Sequence, residues 1–338
     1  MDISNFDYNL PKDSIAQFPL SQRDDSKLLV ATQFVEHMRT RDFPNLLRPG
    51  DVVVLNETRV MPSRLNLRRL TGGAVEVLAL EEIGNGRWEA LVRPSRKIQV
   101  GEELFDKYGK AILRIEEVTH KGTRYISSIE AGMREIFKTY GEIPLPPYIE
   151  NNEIDQNRYQ TVYAQNESSV AAPTAGLHIT QEIIDRCSAV GASVVTVNLS
   201  VGIGTFQPIA TDTIDEHVMH SERYSVEANV WETIQKAKRV IAVGTTVVRT
   251  LESVASTDCL EGRTELYIKP GFQFKVVDAL LTNFHLPKSS LLVMIEAFIG
   301  KSWKNLYHLA LKEEYRFLSF GDAMFIERGD IATINGNI

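Results

Sequence analysis

Residues able to move protons or hold charge gather in a few short stretches of this 338-residue chain. In EHVMHSERY (216–224), His217 and His220 stand three apart beside Glu216 and Glu222. A metal would need about three or four protein ligands, and nothing else at familiar spacing supplies the remainder. No metal is therefore expected, and the pair suits hydrogen bonding or proton transfer by an imidazole that titrates near neutral pH. LLTNFHLPKSSLL (280–292) sets His285 and Lys288 in a short polar turn between an apolar run and a helix, with Asn283, Pro287 and Ser289 as punctuation. In GTTVVRTLES (244–253), a strand ending at Gly244 opens a helix through Thr245 and Thr246. That arrangement offers backbone N–H groups and a positive helix end to a carboxylate or phosphate, with Arg249 near the first turn.

Two further stretches suit a flat or cationic ligand. VGIGTFQPI (201–209) carries Gly202 and Gly204 before Phe206, whose ring offers a stacking face. It lacks the third glycine of a dinucleotide loop, and no helix opens directly after it. YRFLSFGDAMFI (315–326) joins Tyr315, Phe317 and Phe320 to Arg316 and Asp322, a set fit for a sulfonium or for simple core packing and an internal ion pair. AAPTAGLHIT (171–180) spends ten residues on little side-chain volume plus His178. Ala171, Ala172, Ala175 and Gly176 let backbone approach a bulky neighbour closely, while Pro173 stiffens the path to a Thr180 cap.

The elements that must position these stretches change character along the chain. DVVVL (51–55) reads as a buried strand. From Arg64 to about Ile129, apolar and polar residues alternate between Gly-rich turns, as in a small antiparallel barrel or sandwich. GEIPLPPYI (141–149), with three prolines, predicts a rigid linker that continues neither sheet nor helix. Beyond it, helix and strand alternate. QEIIDRCSAV (181–190) is amphipathic behind Thr180, SVVTVNLSV is a strand, Val230–Lys238 is helical, and RVIAVGTTVVRTLESV reads strand, turn, helix. The fold class is α/β: a main domain formed by N- and C-terminal segments (1–57 and 154–338) with an inserted small β-barrel domain (58–153).

Composition narrows the classes further. No apolar N-terminal stretch or membrane-length run is present, and two distant cysteines, Cys187 and Cys259, fit a reducing cytosol; both are expected as small core residues. A net charge of −7 opposes indiscriminate nucleic-acid binding. Between Arg59 and Lys97, however, eight basic residues face four glutamates, a local patch that suits a phosphate-tracking surface as well as a solvated face. No exposed apolar stripe asks for a partner, so a monomer is the default.

The ordered series FDYNLPKDSIAQFPLSQRDDSKLLV, GDVVVLNETRVMPSRL, GEIPLPPYI, RYQTVYAQNESSVAAPTAGLHIT, VGIGTFQPI, HVMHSERY, GTTVVRTLES, LLTNFHLPKSSLL and YRFLSFGDAM resembles the S-adenosylmethionine:tRNA ribosyltransferase-isomerase family over nearly the whole chain. The resemblance implies an α/β domain with an inserted β-barrel. It also implies a reaction of queuosine biosynthesis: the ribosyl portion of S-adenosylmethionine passes to the aminomethyl group of 7-aminomethyl-7-deazaguanine at a tRNA wobble position, in a GUN-type anticodon. The product is epoxyqueuosine, and adenine and methionine leave. S-adenosylmethionine is then a consumed substrate, and neither a metal nor a separate cofactor is expected.

That chemistry needs a base for the 5′ proton beside the sulfonium and a proton for departing adenine. His178 or His285 is the expected group, with His217 and His220 as the other candidates. Substrate contacts are assigned to the motif residues Asn56, Arg59, Arg64, Thr174, Gly176, Gly204, Thr205, Phe206, Glu222, Thr245, Thr246, Arg249, Lys288, Tyr315 and Asp322. Among these, Thr245, Thr246 and Arg249 are expected to hold a carboxylate or phosphate, Phe206 to stack, and Arg59 and Arg64 to touch tRNA or donor. The chain departs from the family pattern at Ile179, Ser200, Arg223 and Glu296; Ser200 removes an expected histidine and shifts weight to the others. A methyltransferase and a non-catalytic RNA-binding protein are the competing readings. The incomplete glycine motif disfavours the first, and the wealth of polar turn residues in the α/β part disfavours the second.

Overall fold

A computed structural model describes residues 1–120, 122–150, 154–202, 204 and 208–329. The chain divides into two compact units. One comprises residues 1–59, 146–166 and 172–338 within those bounds, and the other Val60–Leu145 with Glu167–Ala171.

The first unit is built on a nine-stranded sheet. In spatial order its strands are Glu261–Thr264, Glu222–Ser225, Ser193–Leu199, Asp51–Asn56, Arg239–Val243, Ala279–Asn283, Ala323–Glu327, Lys27–Ala31 and Val35–Arg39. The four from Ser193–Leu199 to Ala279–Asn283 run parallel. Ala323–Glu327 is antiparallel to its inner neighbour and parallel to Lys27–Ala31. Asp51–Asn56 is buried at every position, as a strand covered on both faces must be, which is why it reads as a continuous apolar run without alternation. Val53, Leu55, Ile241, Val243 and Leu281 share a core with Ile183 and Cys187 of the helix Gln181–Ala189. Each of the aliphatic side chains among them contributes about 1.5–3 kcal/mol by leaving water. Thr180 caps that helix, its hydroxyl accepting from the Ile183 N–H at 3.3 Å. Cys259, expected in the core, is exposed instead, because it follows the left-handed Asp258 that ends the helix Thr245–Thr257.

That helix opens with Thr-Thr-Val-Val, a β-branched run of modest helix propensity. Every residue from Thr245 to Val254 is buried, so packing on the sheet overrides propensity. At the amino ends of the strands, Arg239 bridges Asp51 and Glu327 at 2.6 Å each. The carboxyl ends face the segments that carry the candidate site residues.

In the second unit, six antiparallel strands close on themselves in the order Arg64–Arg69, Ala74–Gly84, Arg87–Arg93, Arg124–Ser128, Ala111–Val118, Glu103–Phe105, and back to Arg64–Arg69 through Arg68 opposite Phe105. Inward Leu65, Leu67, Val75, Val77, Trp88, Val92, Leu113 and Ile126 fill the interior. The helix Met133–Tyr140 plugs the barrel with Met133, Ile136 and Phe137, and Phe137 meets Trp88 edge-on at 5.0 Å. The prolines of 141–149 do not end pairing at once: Gly141–Glu142 forms a short strand against Arg64–Leu65, because the prolines begin only at Pro144. Glu167–Ala171 returns to this unit, where the Ser169 carbonyl accepts from the Met61 N–H at 2.9 Å.

Candidate functional site

Open α/β sheets bind ligands beyond the carboxyl ends of their parallel strands, and here those ends surround a cavity of about 570 Å³, solvent included. Ala172, Pro173, Thr174 and Ala175 form one wall, Gly244, Thr245 and Thr246 another, and Thr282, Asn283 and His285 a third; Tyr148 and Ser319 complete it. The low-volume stretch AAPTAGLH thus makes room on the ligand side. Gly176 has a different cause: a Cβ there would lie 2.0 Å from the Tyr163 hydroxyl, so its missing side chain accommodates a neighbour in the same fold.

His285 was expected in a polar turn but is buried on the cavity wall. The reason lies in its backbone. Its N–H donates to the Tyr307 hydroxyl at 3.0 Å and its carbonyl accepts from the Tyr8 hydroxyl at 2.5 Å, which tucks the turn against an aromatic cluster. The Nε2 atom lies 3.1 Å from the Thr282 hydroxyl. Burial pushes the imidazole down to about 3, so it is neutral at physiological pH. If Nε2 donates to Thr282, Nδ1 presents a lone pair.

His178 is held differently. Its Nε2 is 3.1 Å from Nδ2 of Asn283, and its Nδ1 is 3.0 Å from the Ser26 hydroxyl. Asn283 also donates Nδ2 to the Asp322 carbonyl and accepts the Thr174 hydroxyl at Oδ1. The Asp322 carbonyl can only accept, so the amide orientation is fixed, Nε2 is the acceptor and Nδ1 carries the proton. Ser26 in turn meets Thr40 at 2.7 Å. Burial pushes His178 down to about 4, and both of its nitrogens are engaged. It lines an adjoining cleft rather than the cavity.

Beside the cavity, sharing Thr245 and Thr246 with it, lies a pocket that includes Gly204, His220, Glu222 and Arg249. Arg249 falls in the second helical turn and is buried against Glu222 in an ion pair. Its remaining donors go to the carbonyls of His220, Thr264 and Leu266. The expected grip on a substrate anion is therefore already taken by Glu222, whose other oxygen accepts from the Gly202 N–H at 2.8 Å. The His220 ring packs directly on Gly204, where a Cβ would sit 1.8 Å from its Cδ2. Thr246 accepts from Asn56 Nδ2 at 3.3 Å, and Asn56 also bonds both backbone groups of Leu199, tying two strand ends to the start of the helix Thr245–Thr257.

Other expected residues lie elsewhere. His217 stacks edge-on to Tyr267 at 5.4 Å and is lowered by burial and by His220. Lys288 pairs with Asp7 at 2.8 Å. Tyr315 is buried, bonded to His37 at 2.7 Å. Asp322 accepts the backbone N–H groups of Lys27 and Arg316, so these two residues serve packing and loop closure rather than the cavity. Arg64 is in the barrel unit, donating to the Leu145 carbonyl, and Arg59 ends a segment of the α/β unit. Thr205 and Phe206 lie outside the described residues. Glu296, a departure from the family pattern, is buried and accepts the Trp303 indole N–H at 2.7 Å. Sequence reasoning missed Ser26, Thr282 and Tyr148, and took Asn283 only as punctuation; a buried asparagine ending an apolar strand was the available signal. Among the described residues, no three His, Cys, Asp or Glu side chains converge on a metal position, and no helix is long and apolar enough to cross a membrane.

The family described as "Queuosine biosynthesis protein" matches residues 3–326. The S-adenosylmethionine:tRNA ribosyltransferase-isomerase of Moorella thermoacetica is 46% identical over 341 residues, covering 96% of this chain and 100% of the relative. That of Staphylococcus saprophyticus is 45% identical with the same coverage. A crystal structure of S-adenosylmethionine tRNA ribosyltransferase from Thermotoga maritima is 36% identical, with a TM-score of 0.55 over 96% of this chain and 100% of that one.

Proposed function

The chain belongs to the queuosine biosynthesis protein family, and on that footing we propose that it transfers and isomerises the ribosyl moiety of S-adenosylmethionine onto 7-aminomethyl-7-deazaguanine in tRNA. The observation that carries this reading is identity of 43–46% over 96% of the chain to relatives named for that reaction. The cavity at the strand ends is the place proposed for it. The finer reading adds a GUN-type anticodon, a monomeric enzyme in the cytoplasm, and no metal or separate cofactor.

The reaction removes a proton from the 5′ carbon beside the sulfonium, forms a bond from the substrate amine to the ribosyl carbon skeleton, and releases adenine and methionine. Of the two central histidines, His285 fits the proton step. It faces the cavity and burial keeps it neutral, whereas the Nε2 lone pair of His178 is occupied by Asn283. A protonated His285 in this dry setting is a strong acid, suited to passing its proton to the departing adenine. Thr174, Thr245, Thr246 and Thr282 supply hydroxyls to hold the donor, and His178 acts through Asn283 to orient Thr174. Incubation with S-adenosylmethionine and tRNA carrying the precursor base tests the reading. Adenine and methionine are the expected products; S-adenosylhomocysteine would point to methyl transfer, and RNA binding without turnover to a binding protein.

A further inference from the structure

A second cleft in the α/β unit, of about 280 Å³ with open solvent included, is walled by Arg23, Arg158 and Arg316 together with Ser26, His178 and Ser319, and no carboxylate lines it. The three guanidinium groups are held by carbonyls. Arg23 donates to Gln160, Leu177 and Asn157, Arg158 to Leu20 and Ser21, and Arg316 to Phe18. Carbonyl acceptors fix geometry but leave charge in place on Arg23 and Arg158, whereas Arg316 is ion-paired with Asp322 at 3.7 Å. Asp322 also accepts two backbone N–H groups, and Asp155, which accepts the Asn157 N–H, offsets part of the charge of Arg23. Arg158 Nε is buried with no hydrogen-bond partner among the described residues. Burial and the charge of Arg158 both lower Arg23, the mark of cations held together. His178, neutral here, adds a polar wall without charge.

We propose that this cleft is a phosphate subsite that takes one phosphodiester of the RNA acceptor beside the modified nucleotide. The inference rests on the reading of tRNA as substrate. The cleft and the cavity share Ser319, so a strand whose target base enters the cavity passes its backbone along the arginines. Planar guanidinium forks match phosphate oxygens, and Arg23 and Arg158 remain for one when Arg316 is paired with Asp322.

The test measures tRNA binding across salt concentration for wild type, Arg158→Gln and Arg158→Lys, alongside KM for S-adenosylmethionine and melting temperature. Arg158→Gln is expected to weaken tRNA binding by roughly tenfold and to make the log–log salt slope shallower by about one, leaving KM for S-adenosylmethionine within about twofold; Arg158→Lys restores the slope. An unchanged slope in a folded Arg158→Gln protein would overturn the subsite. So would a raised KM for S-adenosylmethionine with intact tRNA binding, which would assign the cleft to the donor carboxylate. A role in loop structure alone would make Lys behave like Gln, and that result also overturns it. Failure of the wild type to release adenine, with the slope change present, would instead count against the reaction and leave the phosphate subsite standing.

Discussion

Asn283 Nδ2 lies 3.1 Å from Nε2 of His178, and the same nitrogen is 3.3 Å from the Asp322 carbonyl. One amide hydrogen therefore serves each acceptor, and the tautomer of a buried histidine is written into a strand end. Asn283→Asp turns the donor into an acceptor facing two acceptors, at a cost of about 1–3 kcal/mol. The carboxylate also raises the folded-state pKa of His178. A raised histidine contributes stability at low pH that is lost as pH rises through it. Urea denaturation should find the variant's deficit larger at pH 7 than at pH 5; an equal deficit would show that the amide donor is not what His178 needs.

In the wild type the sign is opposite. Burial takes His178 to about 4 and His285 to about 3, both below the ordinary value of 6.5. Below pH 6.5 the unfolded chain binds protons that the folded chain refuses, so stability is full above 6.5 and falls as pH drops toward the folded values. Each histidine adds a slope of about 1.4 kcal/mol per pH unit in that window. His178→Asn should remove one such slope between pH 6.5 and 4. A stability curve as steep as that of the wild type would contradict the buried, neutral state.

The two central histidines separate by turnover. His285→Asn is expected to lower kcat for adenine release by ~10²–10⁴, the usual worth of a positioned proton carrier. His178→Asn, acting through Asn283 and Thr174, should cost at least about tenfold less on the same scale. The reverse order would move the proton step to the cleft side.

Much of this was legible beforehand. The alternation in 64–129 gives a small antiparallel barrel or sandwich, which closes as a barrel, and the strand–turn–helix at Gly244 marks one wall of the cavity, because those signals are local and periodic. What was not legible depends on long-range partners. Nothing near Arg249 in the chain announces that Glu222, 27 residues away, takes its charge. Nothing near His285 announces that Tyr8, 277 residues away, draws its loop inward. Gly176 reads from sequence as space for a ligand because Tyr163 lies beyond the intervening strand Asn166–Ser169, and spacing alone does not bring its hydroxyl to that Cα.

Gly176→Ala should therefore destabilise by about 1–3 kcal/mol, as overpacking does, since its Cβ meets the Tyr163 hydroxyl at 2.0 Å. Tyr163→Phe removes that oxygen and should recover part of the loss in a double-mutant cycle. Strictly additive effects would place the conflict elsewhere.

On the barrel, Arg93 and Arg96 are exposed, whereas Arg69 is committed to Glu102 at 2.5 Å. Arg93→Glu with Arg96→Glu should weaken tRNA binding and flatten its salt dependence by about one per lost phosphate contact. Arg69→Glu should act on folding. Equal tRNA binding at low salt by the Arg93/Arg96 variant would remove that face from the RNA surface.

The central claim is the fate of the ribose. S-adenosylmethionine labelled either in the ribose or in the methyl group, incubated with the enzyme and precursor tRNA, distinguishes the readings in one pair of reactions. Ribosyl transfer predicts that ribose label enters the RNA while methyl label leaves as methionine; methyl label in the RNA, with ribose label remaining in S-adenosylhomocysteine, would contradict it.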